Sequence, residues 1–175
     1  MKKKILAVLI SVLSIAISFS FGGCLKSCVD KLLEPPAPTN ESVIDLVKSK
    51  YDIELPKSIN LNNYATDVGF DGGIWFCVFD YDGNDEEFIN KLKHNRNEKF
   101  EKILLEKFKW TENYFYKKYS LPNLDDGYFW YYNLIKDEDG RRASELLIFY
   151  LETENQLIII DDSLRIKINY DEPNN

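Results

Sequence analysis

The sequence predicts an α+β fold: an antiparallel sheet of four to five strands with helices packed on one face. In the second half of the chain, apolar runs rich in β-forming residues follow one another with only short turns between them. Earlier in the chain, another apolar run has segments with helical periodicity on both sides of it. The predicted order is therefore α-β-α(α)-β-β-β-β, and helices set apart from consecutive antiparallel strands are typical of α+β domains.

The first predicted helix has its cap at Asn40 or Ser42 and runs to about Tyr51, before the Leu55-Pro56 step. Its apolar face consists of Val43, Leu46 and Val47. Further along, Asn84 is followed three residues later by a glutamate, which predicts a capping box and a short helix. After the polar interval 93–97 the apolar stripe resumes, so we expect two helical segments with a break between them. The resumed stripe consists of Phe100, Ile103, Leu104 and Phe108.

The first predicted strand covers 68–81 and begins at a glycine cluster. It is apolar on both alternating faces, which favours a position inside the sheet. The turn 137–140 joins the next two predicted strands into a hairpin. The later strands are predicted over 127–135, 145–152, 156–160 and 165–170, the last as a half-exposed edge.

Length and composition indicate one globular domain. The chain has 175 residues, 45% of them hydrophobic and 14% aromatic, which is not the composition of a disordered chain. Acidic residues number 29 against 22 basic ones, so the formal net charge is −7. Since binding to phosphates needs clustered basic residues, we expect no nucleic-acid partner.

The N-terminus has the pattern of an export signal. Lys2, Lys3 and Lys4 precede an uncharged run, 5–21, that is short for a helix crossing about 30 Å of hydrocarbon. We therefore predict a signal peptide over 1–23. Its removal would leave the chain more acidic, because three lysines leave with it.

The signal ends in Phe21-Gly22-Gly23-Cys24, which resembles the lipobox of bacterial lipoproteins, although Phe21 stands where that family usually has an aliphatic residue. The resemblance implies cleavage before Cys24, a lipid on its sulfur and acylation, for example by palmitate, of the new amino terminus. The protein would then be anchored in the cell membrane on its extracytoplasmic face. Without lipidation at Cys24, cleavage near 18–20 would secrete the chain and an uncleaved segment would anchor it; both alternatives still export the protein.

Residues 24–40 are predicted to be a stalk between the lipid and the domain. Pro35, Pro36 and Pro38 favour an extended, semi-rigid spacer. The folded domain is accordingly predicted over 41–175. Its short segments resemble a group of small uncharacterised lipoproteins from Gram-positive bacteria across most of 41–162, a resemblance that implies no activity. The segments that carry it are 51–57, 69–73, Trp110, 121–122 and 127–130.

The cysteines and the single histidine do not predict a metal or cofactor site. Three Cys and one His fit no usual zinc spacing. Cys77 lies in an apolar run and is interpreted as a small buried hydrophobic residue, with a Cys28–Cys77 disulfide as the alternative. His94, in a polar stretch, is interpreted as a solvated residue on a helix surface.

Carboxylates are abundant, so an acid–base pair is the route to catalysis that the sequence offers. Asp71 and Asp80 are the candidates, and the corresponding function is a hydrolase acting on cell-wall glycan or peptide. The acidic run 80–85 lacks the glycine and glutamate positions of an EF-hand and is interpreted as a strand-to-helix turn. We assign no catalytic residue.

Aromatic density is the unusual feature of the sequence, since ten of the 23 residues from Trp110 to Tyr132 are aromatic. One interpretation is a sheet face buried under helices. The other is an exposed binding surface for glycan or protein, formed by Tyr128, Trp130 and Tyr132.

The sequence therefore favours a non-catalytic binding or interaction module at the cell envelope, with an unidentified protein or glycan partner. The cell-wall hydrolase is one alternative. An immunity or phage-exclusion lipoprotein, which would protect the cell from a toxin or phage, is another.

Overall fold

A computed structural model describes residues 37–69, 72–111, 122–138 and 142–163, and it confirms the α+β class. The predicted signal peptide, Cys24, nearly all of the stalk and the predicted strand 165–170 lie outside the described residues. In chain order the elements are α1 (Asn40–Tyr51), β1 (Asn60–Gly69), β2 (Gly72–Asp80), α2 (Glu86–Ile89), α3 (Glu98–Thr111), a short 3₁₀ helix (Leu124–Asp126), β3 (Phe129–Lys136), β4 (Arg142–Leu151) and β5 (Gln156–Asp162).

The five strands form one antiparallel sheet in the order β1-β2-β5-β4-β3. The last described strand, β5, therefore lies at the centre, between β2 and β4. Its residues Leu157, Ile158, Ile159 and Ile160 are all buried. A strand covered on both faces is expected to be apolar at successive positions, as β5 is.

Helices cover both faces of this sheet, so the prediction that they pack on one face is wrong. On the first face, Phe100 and Leu104 of α3 join the same core as Phe76 and Phe149. On the second face, Val47 of α1 and Phe88 of α2 join a core with other strand residues. Successive side chains of a strand point to opposite faces of the sheet, and the central strands carry apolar side chains on both faces. Both faces must therefore be covered.

Helix α1 is capped by Thr39, and not by Asn40 or Ser42, the two predicted positions. Ser42 N donates to Thr39 Oγ1 at 3.2 Å, and Thr39 N donates to Ser42 Oγ at 2.8 Å. These reciprocal bonds satisfy backbone donors that the first turn leaves unpaired. At the other end Asp52 takes the left-handed conformation, with φ 56°, and its N–H donates to the carbonyl of Lys48 at 3.0 Å.

The break between the two later helices is confirmed. Asp85, rather than Asn84, caps α2, and its Oδ1 accepts from Phe88 N at 3.0 Å. After α2 the chain pairs briefly with β3, where Lys93 N donates to Trp130 O at 2.7 Å. The polar interval therefore forms a connection that pairs with the edge strand β3 before α3 begins.

Strand β1 is absent from the sequence prediction, which began the first strand at 68. The structure instead ends β1 at Gly69 and starts β2 at Gly72, and these two glycines are paired in register. Residues 60–67 are mostly polar, and of the side chains described there only Asn63 and Ala65 are buried. Such an edge strand carries little hydrophobic periodicity, which explains why it was missed.

Replacement of Gly83 by alanine is expected to lower the free energy of unfolding by about 2–4 kcal/mol. Gly83 has φ +70°, and a Cβ there would overlap Tyr150 Oη and lie 3.0 Å from Cζ of the same ring. Backbone strain and overpacking therefore add. Urea denaturation followed by circular dichroism measures the change.

The variant Tyr150→Phe provides the matched background for this test, because it removes the oxygen that the new methyl group would meet. In this background Gly83→Ala should lower the free energy of unfolding by a smaller amount. The difference between the two backgrounds measures the part of the loss that comes from the overlap with the Tyr150 hydroxyl. Equal losses in the two backgrounds would show that Tyr150 is not the obstacle.

Candidate functional site

The predicted aromatic binding surface is buried. Tyr128, Trp130 and Tyr132 are 4%, 0% and 2% exposed, and all three belong to the core of the first sheet face. Trp130 stacks on Phe100 with ring centroids 4.9 Å apart. The prediction of an exposed surface at these positions is therefore wrong, and the alternative of an aromatic face under a helix holds for them.

The intervening residues of β3 point to the second face and remain partly accessible. Phe129 and Tyr131 are half-buried there. The exposed ring of His94 stacks on Phe129 at 4.2 Å, with the planes 9° apart. His94 is thus solvated as predicted, but it lies in the connection before α3 rather than on a helix.

A groove runs along α2 on the second face of the sheet. Its central cavity has a volume of about 460 Å³ and lies between α2, the loop after α1 and β3. Its apolar lining includes the half-buried Ile53 and Tyr131 and the buried Phe88 and Leu92. We call this feature, with the two cavities that adjoin it, the α2 groove.

The adjoining cavities extend the groove in both directions. One, of about 620 Å³, shares Glu54, Glu87 and Phe88 with the central cavity and reaches Ser58. The other, of about 310 Å³, shares Tyr131 with it and reaches Asn133 on β3. The groove therefore runs from the loop before β1, past α2, to β3.

The rim of the groove carries paired charges. Lys48 Nζ lies 2.8 Å from Asp52 Oδ1 and 3.0 Å from Glu54 Oε1, while Lys91 Nζ lies 3.0 Å from Glu87 Oε1. The hydrogen bonds and charge of Lys48 lower the pKa of both Asp52 and Glu54, and those carboxylates raise the pKa of Lys48. Lys48, Asp52 and Glu54 therefore stay ionised around neutral pH, and this part of the rim presents both signs of charge beside an apolar lining.

Of the predicted acidic pair, only Asp80 lies within the described residues, so the pair stays a prediction. Asp71 lies outside them, immediately before the first residue of β2, and Asp80 is the last residue of that strand. Asp80 is exposed, and its Oδ1 accepts a hydrogen bond from Asn62 Nδ2 at 2.8 Å.

Two buried polar clusters, which sequence reasoning missed, lie back to back at one end of the sheet. On the second face, Lys50 Nζ donates to Asp161 Oδ1 at 2.7 Å and to Oδ2 at 3.0 Å. The hydroxyl of Tyr51 also donates to Asp161, and Ser144 Oγ donates to it at 3.2 Å. Burial and the Asp161 charge raise the pKa of Tyr51. The carboxylate is thus surrounded by donors.

The cluster on the first face joins a helix to two central strands. Lys107 Nζ of α3 contacts Asp162 Oδ2 and lies 2.8 Å from Glu145 Oε2. Tyr132 Oη donates to Glu145 Oε1 at 2.9 Å. The sequence signal for these clusters is the acidic pair Asp161-Asp162, which directly follows the apolar run of β5. Strand β5 extends to Asp162, whereas the prediction ended it at 160.

Cys77 is buried, as predicted, at 1% exposure. Burial raises the pKa of its thiol to about 12. Within the described residues Cys77 is a free thiol, and Cys28 lies outside them.

No protein family, curated protein or solved structure significantly matches the chain. Among the described helices, none is long and apolar enough to span a membrane.

Proposed function

We propose that this protein is a lipoprotein anchored on the extracytoplasmic face of the cell membrane, and that its α+β domain is a non-catalytic binding module. The observation that carries the binding role is the α2 groove. Its central cavity, of about 460 Å³, combines an apolar lining with charged groups at the rim. The adjoining cavities, of about 310 and 620 Å³, share lining residues with it. Binding pockets in proteins typically have this combination and size.

The anchoring part of the proposal is supported by the sequence pattern at the N-terminus. A basic start, an apolar run and Gly23-Cys24 stand in the order of a lipoprotein signal, and a proline-rich segment separates Cys24 from the domain. A domain held near the envelope by such a tether meets envelope proteins and glycans. Tyr131 offers a half-buried ring in the groove, and such rings contact both kinds of partner.

A photo-reactive phenylalanine analogue at Tyr131, installed in the full chain in intact cells, is expected to crosslink to the partner. Leu105 provides the matched position, because it is 36% exposed on α3, whose core residues pack on the other face of the sheet. The crosslinked product that forms with the analogue at position 131 should not form with the analogue at position 105. Peptides of a second protein in a tryptic digest of the product would identify a protein partner, and loss of the added mass on treatment with a glycan-cleaving enzyme would identify a glycan.

The same crosslinked product from both positions, or none from Tyr131, would contradict binding in the groove. Anchoring is tested separately by Cys24→Ala, which should abolish membrane retention while leaving the groove unchanged. Full retention of that variant in the membrane would contradict the lipoprotein assignment.

A further inference from the structure

We propose that Lys107 and Asp162 become joined by an amide bond between their side chains, formed inside the folded domain with Glu145 as the catalytic residue. This inference is independent of the proposed binding function. It rests on the position, burial and mutual contacts of the cluster on the first face of the sheet.

The three groups required for such a bond are already in contact. Lys107 Nζ touches Asp162 Oδ2, so the nucleophilic nitrogen lies beside the carboxyl group that it would attack. Glu145 Oε2 lies 2.8 Å from the same nitrogen, within reach of the proton that the nitrogen must lose. Contact between a nucleophile, its electrophile and a proton carrier replaces a bimolecular encounter with an intramolecular step.

The backbone holds these groups in place. Glu145 and Asp162 are directly opposite each other on the central strands β4 and β5. The hydroxyl of Tyr132 donates to Glu145 Oε1, which leaves Oε2 directed at the lysine. Lys107 enters from α3, near the end of a helix that packs on this face.

The cluster is shielded from water. The side chains of Lys107, Glu145 and Asp162 are 7%, 0% and 3% exposed. The other strand neighbour of Asp162 is Ile74, itself buried at 2%. Two carboxylates and one ammonium in such a site carry a desolvation penalty, and this penalty favours any step that removes charge.

The reaction balances without an added oxidant, reductant or cofactor. Transfer of one proton from the ammonium to the Asp162 carboxylate gives a neutral amine and a neutral acid. The nitrogen lone pair then attacks Cγ of Asp162 and forms the C–N bond. Glu145 accepts a proton from the nitrogen and returns it to the departing hydroxyl. The C–O bond breaks with its electron pair on oxygen, one water leaves, and Glu145 is restored.

The assignment of roles within the cluster follows from the contacts. Both oxygens of Glu145 are held, one by the tyrosine hydroxyl and one by the lysine, as suits a group that carries a proton and returns to its starting state. Asp162 contacts the nitrogen directly and is therefore assigned as the carboxyl group that is consumed.

Peptide mapping of the purified full-length protein tests the proposal. Trypsin is expected not to cleave after Lys107, and the digest should contain one branched peptide joining 103–109 to 143–165, lighter than the two parts together by one water. Fragmentation of this peptide should place the branch at Asp162, since Glu145 lies in the same segment. Separate, unmodified peptides 103–107 and 143–165 would overturn the proposal, and a branch at Glu145 would overturn the assignment of Asp162.

Three variants separate the roles, and circular dichroism checks that each is folded. Asp162→Asn should still form the link, with ammonia leaving in place of water, and its branched peptide should have the same mass as that of the wild type. Lys107→Arg should give only unlinked peptides, because a guanidinium does not supply the nucleophile. Glu145→Gln should also remain unlinked, since the proton carrier is gone. Linkage in folded Glu145→Gln at the wild-type yield would overturn the catalytic role of Glu145.

Discussion

Replacement of Trp130 by alanine is expected to lower the free energy of unfolding by about 3–5 kcal/mol. Trp130 is fully buried and stacks on Phe100 of α3. Its Nε1 donates to the carbonyl of Asn95 at 2.8 Å, so one side chain holds both the sheet and the connection that precedes α3. Alanine would leave a large cavity and an unpaired carbonyl. Urea denaturation followed by circular dichroism measures the loss without depending on tryptophan fluorescence.

Trp75→Ala is the matched control, because it removes the same side chain from a half-buried position on β2. Its ring packs against the core of the second face but keeps contact with solvent. The control should therefore lose much less stability than Trp130→Ala. If the two variants lose the same amount, Trp130 does not have the central packing role described above.

The second large effect is expected at Asp161, where replacement by alanine should cost about 3 kcal/mol. Asp161 is 3% exposed and accepts hydrogen bonds from Lys50, Tyr51 and Ser144. Removal of the carboxylate leaves these donors without their common acceptor, two of them on buried hydroxyls. Asp161→Asn keeps an acceptor oxygen for the hydroxyls, so its free energy of unfolding should lie between those of Asp161→Ala and the wild type.

Glu87→Ala is the control for the removal of a paired carboxylate. Glu87 pairs with Lys91 at 3.0 Å, but its side chain is 82% exposed. An exposed pair of this kind contributes little, so the expected loss is below about 0.5 kcal/mol. Equal losses for Asp161→Ala and Glu87→Ala in chemical denaturation would contradict the view that burial makes the Asp161 cluster important for stability.

The local pattern of the sequence was sufficient for most of the secondary structure. Turn residues and apolar runs placed β3, β4 and β5 within a few residues of their observed bounds. The apolar stripe around Phe100 and Leu104 predicted α3. Strand β1 was missed because its buried positions are few and include Asn63, which gives no hydrophobic signal.

The candidate site was harder to predict. Single-sequence reasoning could not decide which alternate residues of β3 face a helix, so it left both burial and exposure open for Trp130 and its alternate neighbours. The structure instead leaves Tyr131 partly accessible in the α2 groove, on the other face. Both sets of side chains are aromatic, and only the position of α3 distinguishes them.

By itself, the sequence determined the α+β class and the approximate bounds of most strands and helices, because hydrophobic period and turn chemistry are properties of neighbouring residues. The tertiary structure alone decided that β5 lies at the centre of the sheet, that helices cover both faces, and that Lys107 meets Glu145 and Asp162. These contacts join residues far apart along the chain. They depend on strand order and on register. A shift of one residue in register would turn every side chain of a strand to the opposite face and would break these contacts.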